Sequence, residues 1–170
     1  MASINHELLV NGDFATGDLQ GWTVDDPSYY TIVPYEPGKN SLVQHSAPPA
    51  QALVQTFTAH PGKHFMTVWH RATDEQGQPV DKVTVSAGLI NYATSDGRLI
   101  VTPILLVSRY EWSKWTSELI IERGEPATDI RLSFQNIDNS ARASLGASLN
   151  IEFEETPVAL RGISAWRMDV

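Results

Sequence analysis

Short runs rich in β-branched and aromatic residues recur along the whole chain, each ended by a turn containing Gly, Pro, Asn or Asp. This pattern predicts a β-sandwich or a barrel, and helical periodicity is weak everywhere. Pro103 lies inside one apolar run and predicts an edge strand or a bulge there. The predicted strands cover residues 8–10, 29–33, 52–59, 65–71, 82–92, 99–107, 115–121, 130–136, 149–153 and 162–168.

The chain has 170 residues and no cysteine. A chain of this length buries about two-thirds of its unfolded surface, so it needs neither a disulfide nor a metal to stay folded. No repeat, low-complexity stretch or linker divides the sequence. We therefore predict one domain over residues 1–170.

The formal net charge is −8, and the twelve Lys and Arg residues are scattered. A nucleic-acid-binding protein needs a basic face that meets phosphates, so we expect no nucleic-acid partner. The N-terminus lacks the basic start and apolar stretch of a signal peptide, and no window has the roughly 20 apolar residues of a membrane span. We expect no membrane insertion. The protein is then cytoplasmic, is exported without a classical leader, or has had a leader removed.

The most specific motif covers residues 9–22 and reads LVNGDFATGDLQGW. Asn-Gly favours a tight turn with positive φ. Phe14 and Trp22 can then pack two large rings at the same end of a sandwich. The motif resembles the N-terminal signature NGDFE-TG-x-x-x-GW of carbohydrate-binding modules that have a galactose-binding-like jelly roll.

Later segments keep the order of the same family, and the resemblance therefore spans nearly the whole chain. These segments are QTF at 55–57, PGKHF at 61–65, EWSKW at 111–115 and LRGISAW at 160–166. The resemblance implies an all-β fold, a two-sheet antiparallel β-sandwich of jelly-roll type. It also implies a lectin-like, non-catalytic module whose partner is a glycan or polysaccharide.

Many members of that family hold a structural calcium with an acidic residue after the NGDF phenylalanine and an aspartate in the last strand. Those positions hold Ala15 and, by our alignment, Arg161 or Gly162. Calcium prefers six to eight oxygen ligands, with carboxylates prominent among them. Asp13, Asp169 and backbone carbonyls remain as oxygen donors. Because both of the family's carboxylates are missing, we nevertheless expect no metal site and no cofactor.

Sugars are bound by aromatic faces with amide, carboxylate and Arg groups nearby. Trp22 and Trp112 match structural positions of the family, so a core role is expected for each, and also for Trp115 and Trp166. In the run 65–71, alternation places Trp69 on one face and His70 on the other. Either face can be the buried one, and we favour a buried Trp69 with an accessible His70.

Most of the candidate ligand-binding residues lie at a strand edge, at a strand end or beside a turn, and His70 is expected on the concave binding face. They are Tyr29, Tyr30, Tyr35, His70, Tyr92, Gln135 and Asn136. Ordinary half-buried tyrosines and solvated amides are an equally good interpretation of any single member.

Catalytic signals are weak. Pro61-Gly62 separates His60 from His64, so the pair cannot share a helix as zinc ligands do. The adjacent acidic pairs Asp25-Asp26 and Glu154-Glu155 point apart if extended, whereas a glycosidase needs two carboxylates across a cleft. We expect a binding protein and not an enzyme. The alternatives are a protein-interaction or structural module of a toxin, phage tail or adhesin on the same fold, and a hydrolase with a diverged site.

Overall fold

A computed structural model describes residues 5–46, 51–136 and 147–168. The strands are β1 (Asn5–Glu7), β2 (Tyr30–Glu36), β3 (Lys39–Gln44), β4 (Leu53–Ala59), β5 (Gly62–Ala72), β6 (Thr84–Ala93), β7 (Leu99–Ser108), β8 (Ser113–Ile121), β9 (Thr128–Gln135) and β10 (Val158–Met168). A 3-10 turn (Pro27–Tyr29) precedes β2. Within the described ranges, no helix has the length and apolarity needed to cross a bilayer.

The strands form two antiparallel sheets, which confirms the predicted all-β sandwich of jelly-roll type. Sheet A has the order β2-β3-β10-β5-β8, with β1 paired to the second half of β10. Sheet B has the order β4-β9-β6-β7. Since β7 pairs with β6 alone, it is an edge strand, and the prediction from Pro103 is confirmed.

One hydrophobic core lies between the sheets and is built from both inner faces. Sheet A supplies Leu42, Met66 and Leu160, and sheet B supplies Ile104 and Leu132, all nearly without solvent exposure. Successive side chains of a strand point to opposite faces, and in β4 and β5 this gives a regular alternation of buried core residues with more exposed ones. The alternation decides which side chains are available on the outer faces.

The turn at residues 11–22 closes one end of the sandwich. Phe14 and Trp22 are buried with ring centroids 6.0 Å apart, as predicted. The positive φ occurs at Asn11 and Phe14, both at 55°, and not at Gly12. Gly12 is required for another reason: a Cβ there would lie 1.8 Å from the carbonyl oxygen of Ile163 in β10.

Two predicted strands are wrong. At residues 8–10, the N–H and carbonyl of Val10 are bonded by the side-chain amide of Gln55, at 2.7 and 2.9 Å, and not by a neighbouring strand. At residues 149–153, Asn150 has φ 55°, which an extended strand does not allow. The sequence pattern also misses β1 and β3, which are short and largely polar.

Candidate functional site

The alternation of β5 exposes Trp69 and Arg71 on the outer face of sheet A. The even-numbered side chains of β5, among them Met66 and His70, face the core. His70 is 5% exposed, and its Nδ1 lies 2.7 Å from the hydroxyl of Ser108 in sheet B. The expectation of a buried Trp69 and an accessible His70 is therefore wrong, because the opposite sheet supplies the hydrogen bond that lets the imidazole be buried.

Strand β10 brings Arg161 directly opposite Trp69 on the same face. The register of this pair shifts between Arg161 and Ser164, and Gly162 in that interval has φ +54°. A Cβ on Gly162 would lie 3.2 Å from Cδ1 of Trp69, so the indole packs closely over the backbone of the bulge. A side chain larger than hydrogen at residue 162 would displace the ring.

Arg161 stands among three aromatic rings from different parts of the chain. Its guanidinium carbon is 4.7 Å from the ring centroid of Trp69, 4.6 Å from that of Trp112 and 4.8 Å from that of Tyr35. Arg71 lies 4.3 Å from the Trp112 ring, and the rings of Tyr35 and Trp112 meet edge to face at 5.5 Å. We call these five half-buried residues the arginine–aromatic cluster.

The same face continues along β5 and β10 to a second aromatic contact. Phe65 and Trp166 are stacked with centroids 4.5 Å apart, and both are half-buried. Four residues of extended chain separate Phe65 from Trp69, a distance of about 13 Å. The expected core roles of Trp112 and Trp166 are wrong because both rings lie on the outer face, whereas Trp115 packs against the core as expected.

The connection from β5 to β6 covers the outer face over β2 and β3. A Cβ on Gly77 would lie 3.2 Å from methyl groups of Val33 and Val43, so the loop backbone rests on these side chains. Val43 is fully buried although its register places it on the outer face. Asp74 holds the loop in shape by accepting the N–H groups of Gln76 and Gln78, each at 2.9 Å. The loop therefore forms a raised side beside the cluster.

Burial and charge combine at Arg71. Removal from water, then repulsion from Arg161, hold the pKa of Arg71 below its ordinary value, while Tyr110 and Glu111 act in the opposite direction. An arginine remains protonated in any protein. The cluster is therefore a region of local positive charge on a chain whose formal net charge is −8.

Tyr35 alone of the predicted ligand-binding residues belongs to the cluster. Tyr30 is 8% exposed in the core, and Tyr29 and Tyr92 pack against it as half-buried side chains. Asn136 is buried and donates to the carbonyls of Gln44 and Thr156 at 2.9 and 3.1 Å, so its amide ties chain segments together. Gln135 ends β9 on the other sheet.

Four cluster members were not predicted as ligand-binding residues: Trp69, Arg71, Trp112 and Arg161. Alternation along β5 places Trp69 and Arg71 on one face, and the sequence allows that face to be the outer one. This shared face is the sequence feature that indicates both residues. Trp112 and Arg161 had no local signal. Their place depends on which distant strands become neighbours.

The residues of the NGDF turn do not fit a calcium ion. The carboxylate of Asp13 accepts the N–H of Ala15 at 3.2 Å, and that of Asp18 accepts the Thr16 hydroxyl at 2.6 Å and the Gln20 N–H at 3.0 Å. The Thr16 hydroxyl, together with the Gln20 N–H, lowers the pKa of Asp18. In the part of the chain that the structure describes, no group of three or more His, Asp or Glu side chains is placed to hold a metal. Asp169 lies outside the described residues.

The outer face of sheet B has a different character. Leu89, Val101 and Leu105 are each at least 40% exposed there, and Leu99 is 66% exposed at the start of β7. Exposed apolar side chains of this kind are a feature of protein-interaction surfaces. Aromatic rings and arginines are concentrated on the opposite face of the molecule, so the two surfaces can be tested separately.

No family model matches the sequence, and no curated protein matches it. Solved structures do match over nearly the whole chain. A carbohydrate-binding module, TmCBM61 in complex with β-1,4-galactotriose, matches at 14% identity and a TM-score of 0.57, over 95% of this chain and 99% of that one. The CBM22-1 xylan-binding domain of Xyn10C from Paenibacillus barcinonensis matches at 13% identity and a TM-score of 0.58, over 99% and 97%.

A third match is the enzymatically active domain of tailspike protein 4 of bacteriophage CBA120, at 13% identity and a TM-score of 0.53. The match covers 96% of this chain but 21% of that one, so the chain spans about a fifth of the tailspike's length. At these identities the comparisons establish the fold. The chain is similar in structure to jelly-roll carbohydrate-binding modules.

Proposed function

We propose that the chain is a non-catalytic glycan-binding module and that its ligand lies on the arginine–aromatic cluster. The observation that carries the proposal is the convergence of Tyr35, Trp69 and Trp112 around Arg161 on the outer face of sheet A. These residues are half-buried, so part of each side chain still faces solvent.

The chemistry of the cluster suits a sugar. Indole and phenol rings present an apolar face to the C–H surface of a pyranose, and Tyr35 adds a hydroxyl that both donates and accepts. Arg71 and Arg161 add N–H donors for ring or hydroxyl oxygens. The rings are held by packing and by the cations, so a ligand meets a pre-formed surface and little side-chain entropy is lost on binding.

Two of the structures with a similar fold have glycan ligands: one is in complex with β-1,4-galactotriose and another is a xylan-binding domain. This supports the proposal at the level of the fold, which can host many functions. The nature of the site must therefore be argued from the cluster itself. The cluster lies on the outer face of sheet A, and its side chains are half-buried.

Three of the four carboxylates in the acidic pairs have local partners, which supports binding without catalysis. Asp26 accepts the N–H and hydroxyl of Ser28 at 3.0 and 2.7 Å and caps the 3-10 turn. Glu154 pairs with Lys82 at 3.2 Å, and Glu155 accepts from the Ser46 hydroxyl. None of these carboxylates belongs to the cluster.

A glycan array of the purified chain, run in calcium and again in chelator, tests the proposal. Wild-type protein should bind a defined sugar class, and W69A and W112A should bind it at least tenfold more weakly. The matched control is L105A, which truncates an exposed side chain on the outer face of sheet B and should leave binding unchanged.

Thermal melts of each variant separate loss of the site from loss of the fold. Absence of binding across a broad array would overturn the proposal, and so would equal binding by W69A, W112A and wild type. Binding that disappears in chelator would show that a metal takes part and would contradict the interpretation of the NGDF turn.

A further inference from the structure

The two arginines of the cluster have no carboxylate partner among the residues that the structure describes. The ion pairs of Lys39, Lys63, Lys82 and Arg98 lie elsewhere on the surface. The Nε atoms of Arg71 and Arg161 are buried without a hydrogen-bond partner. The hydrogen bond of the Arg161 Nη1 goes to the neutral hydroxyl of Tyr35, at 3.5 Å.

The ring faces offset the positive charge only in part, and no described carboxylate neutralises it. Taking a charged group from water without giving it a partner is unfavourable. The two guanidinium groups also repel each other, and the Coulomb interaction with Arg161 is one of the causes that hold the pKa of Arg71 below its ordinary value. The exposed Glu111 attracts Arg71 but does not form an ion pair with it. An anion that entered the cluster would relieve both costs.

A neutral sugar would relieve neither cost fully. Its hydroxyls and ring oxygen accept hydrogen bonds but carry no charge, whereas a carboxylate accepts from two N–H groups of one guanidinium at once. An arginine has donors and no acceptor. The donor set of the cluster, two arginines beside three rings, therefore favours a ligand that combines a negative charge with an apolar ring surface.

We propose that the ligand of this face is an acidic glycan, a polymer of carboxylated sugars whose carboxylate lies against Arg71 and Arg161 while a sugar ring stacks on Trp69 or Trp112. This rests on the proposed function, because it specifies the sugar class bound at the same site. The overall charge of −8 opposes such a ligand at long range, but screening at physiological salt limits that repulsion to about 8 Å. The attraction is therefore local to the cluster.

The test compares acidic polysaccharides with the same polymers after their carboxylates are reduced to primary alcohols. Polygalacturonate, alginate and hyaluronan are the acidic probes, and each reduced form keeps the linkage and length of its parent. Affinity for each polymer is measured by calorimetry. A panel of neutral β-glycans, galactan and xylan, is measured in the same way. We expect at least one acidic polymer to bind tenfold or more tightly than its reduced form, and this preference to weaken between 50 and 500 mM salt.

Variants locate the preference on the arginines. R71Q and R161Q should bring the ratio of acidic to reduced affinity towards one, and R71K, which keeps the charge but loses the planar fork, should fall between R71Q and wild type. R98Q is the matched control, because Arg98 is exposed, is paired with Asp96 and lies in the turn that joins two strands of sheet B. Its ratio should equal that of wild type.

The outcomes distinguish the two proposals. Equal affinity for acidic and reduced polymers, or binding to neutral glycans alone, would overturn the acidic preference and leave the proposed function standing. Lack of binding to every polymer in both panels would overturn both. An acidic preference that R71Q and R161Q leave intact would also overturn this inference, because it would place the preference elsewhere.

Discussion

Arg161 and Trp69 face each other across the β10–β5 pair, with the guanidinium carbon 4.7 Å from the indole centroid. Two further rings, those of Tyr35 and Trp112, stand within 5 Å of the same carbon. One cation thus holds side chains from β2, from β5 and from the connection between β7 and β8. The cluster owes its shape to this central contact.

Replacing Arg161 should therefore weaken the fold as well as the site. Cation–π contacts contribute about 0.5–2 kcal/mol according to how far they are desolvated. We expect R161A to lower the free energy of unfolding by about 1–2 kcal/mol in urea titrations. R98A, which removes an exposed arginine, should change it by less than about 0.5 kcal/mol. A loss no larger than that of R98A would contradict the structural role of Arg161.

The bulge at Gly162 should control the position of Trp69. Alanine at residue 162 meets two problems, a φ of +54° and a Cβ that would lie 3.2 Å from Cδ1 of Trp69. Gly97 has φ +82° with no atom within 4 Å of its Cβ position, so G97A isolates the backbone strain. We expect both variants to lose about 1 kcal/mol of stability. Only G162A should also lose glycan affinity, and equal affinity in the two variants would refute the contact.

Gly12 in the NGDF turn should tolerate no side chain at all. A Cβ there would lie 1.8 Å from the carbonyl oxygen of Ile163. This oxygen belongs to the backbone, and the N–H of the same residue donates to the Gly12 carbonyl at 2.9 Å. We expect G12A to cost about 3 kcal/mol or to prevent folding. G17A, in the same turn at φ +76° with open space around it, should cost about 1 kcal/mol. Chemical denaturation of both variants measures the difference.

The buried histidines should make the fold sensitive to acid. Burial lowers the pKa of His70 from 6.5 to about 4, and burial is also the first cause that lowers the pKa of His64. The histidines of the unfolded chain therefore bind protons more readily than those of the folded chain. The contribution of neutral His70 to the free energy of unfolding is complete above pH 6.5 and is lost as the pH falls towards 4. For His70 the loss between pH 7 and pH 5 is about 2 kcal/mol.

Urea titrations at pH 7 and pH 5 measure this loss. In H70Q an amide can still bond to Ser108 and has no proton to gain, so the difference between the two pH values should shrink by about 2 kcal/mol. The difference in the free energy of unfolding between pH 7 and pH 5 should become smaller still when H64Q is added to H70Q. An unchanged slope in H70Q would show that His70 does not cause the acid sensitivity.

The all-β sandwich, the edge position of β7 and the packing of Phe14 on Trp22 could be predicted because each depends on local patterns. The outer face of sheet A could not. Large apolar side chains occur on both faces of β5, so periodicity alone leaves its orientation open. The hydroxyl of Ser108, 38 residues later, makes the buried orientation of His70 possible.

The arginine–aromatic cluster could not be predicted from local sequence patterns either. Trp112 and Arg161 are 49 residues apart. They meet because Trp112 directly precedes β8, and β5 pairs with β8 on one side and with β10 on the other. A single sequence carries no local trace of that pairing. Tyr35 was predicted from its position at a strand edge, and the residues that surround it were not.

The stacked pair Phe65–Trp166 should extend the binding surface for long ligands. The pair lies on the same face as Trp69, about 13 Å further along β5, which is more than one sugar ring spans. We expect W166A to weaken binding of long oligosaccharides about tenfold, because a sugar–aromatic stack is lost, while the shortest oligosaccharides that bind keep their affinity. Titration of a length series against wild type, W166A and W69A tests this. W69A should weaken binding at every length, and an equal effect of W166A at every length would show that the two contacts do not act as successive parts of one surface.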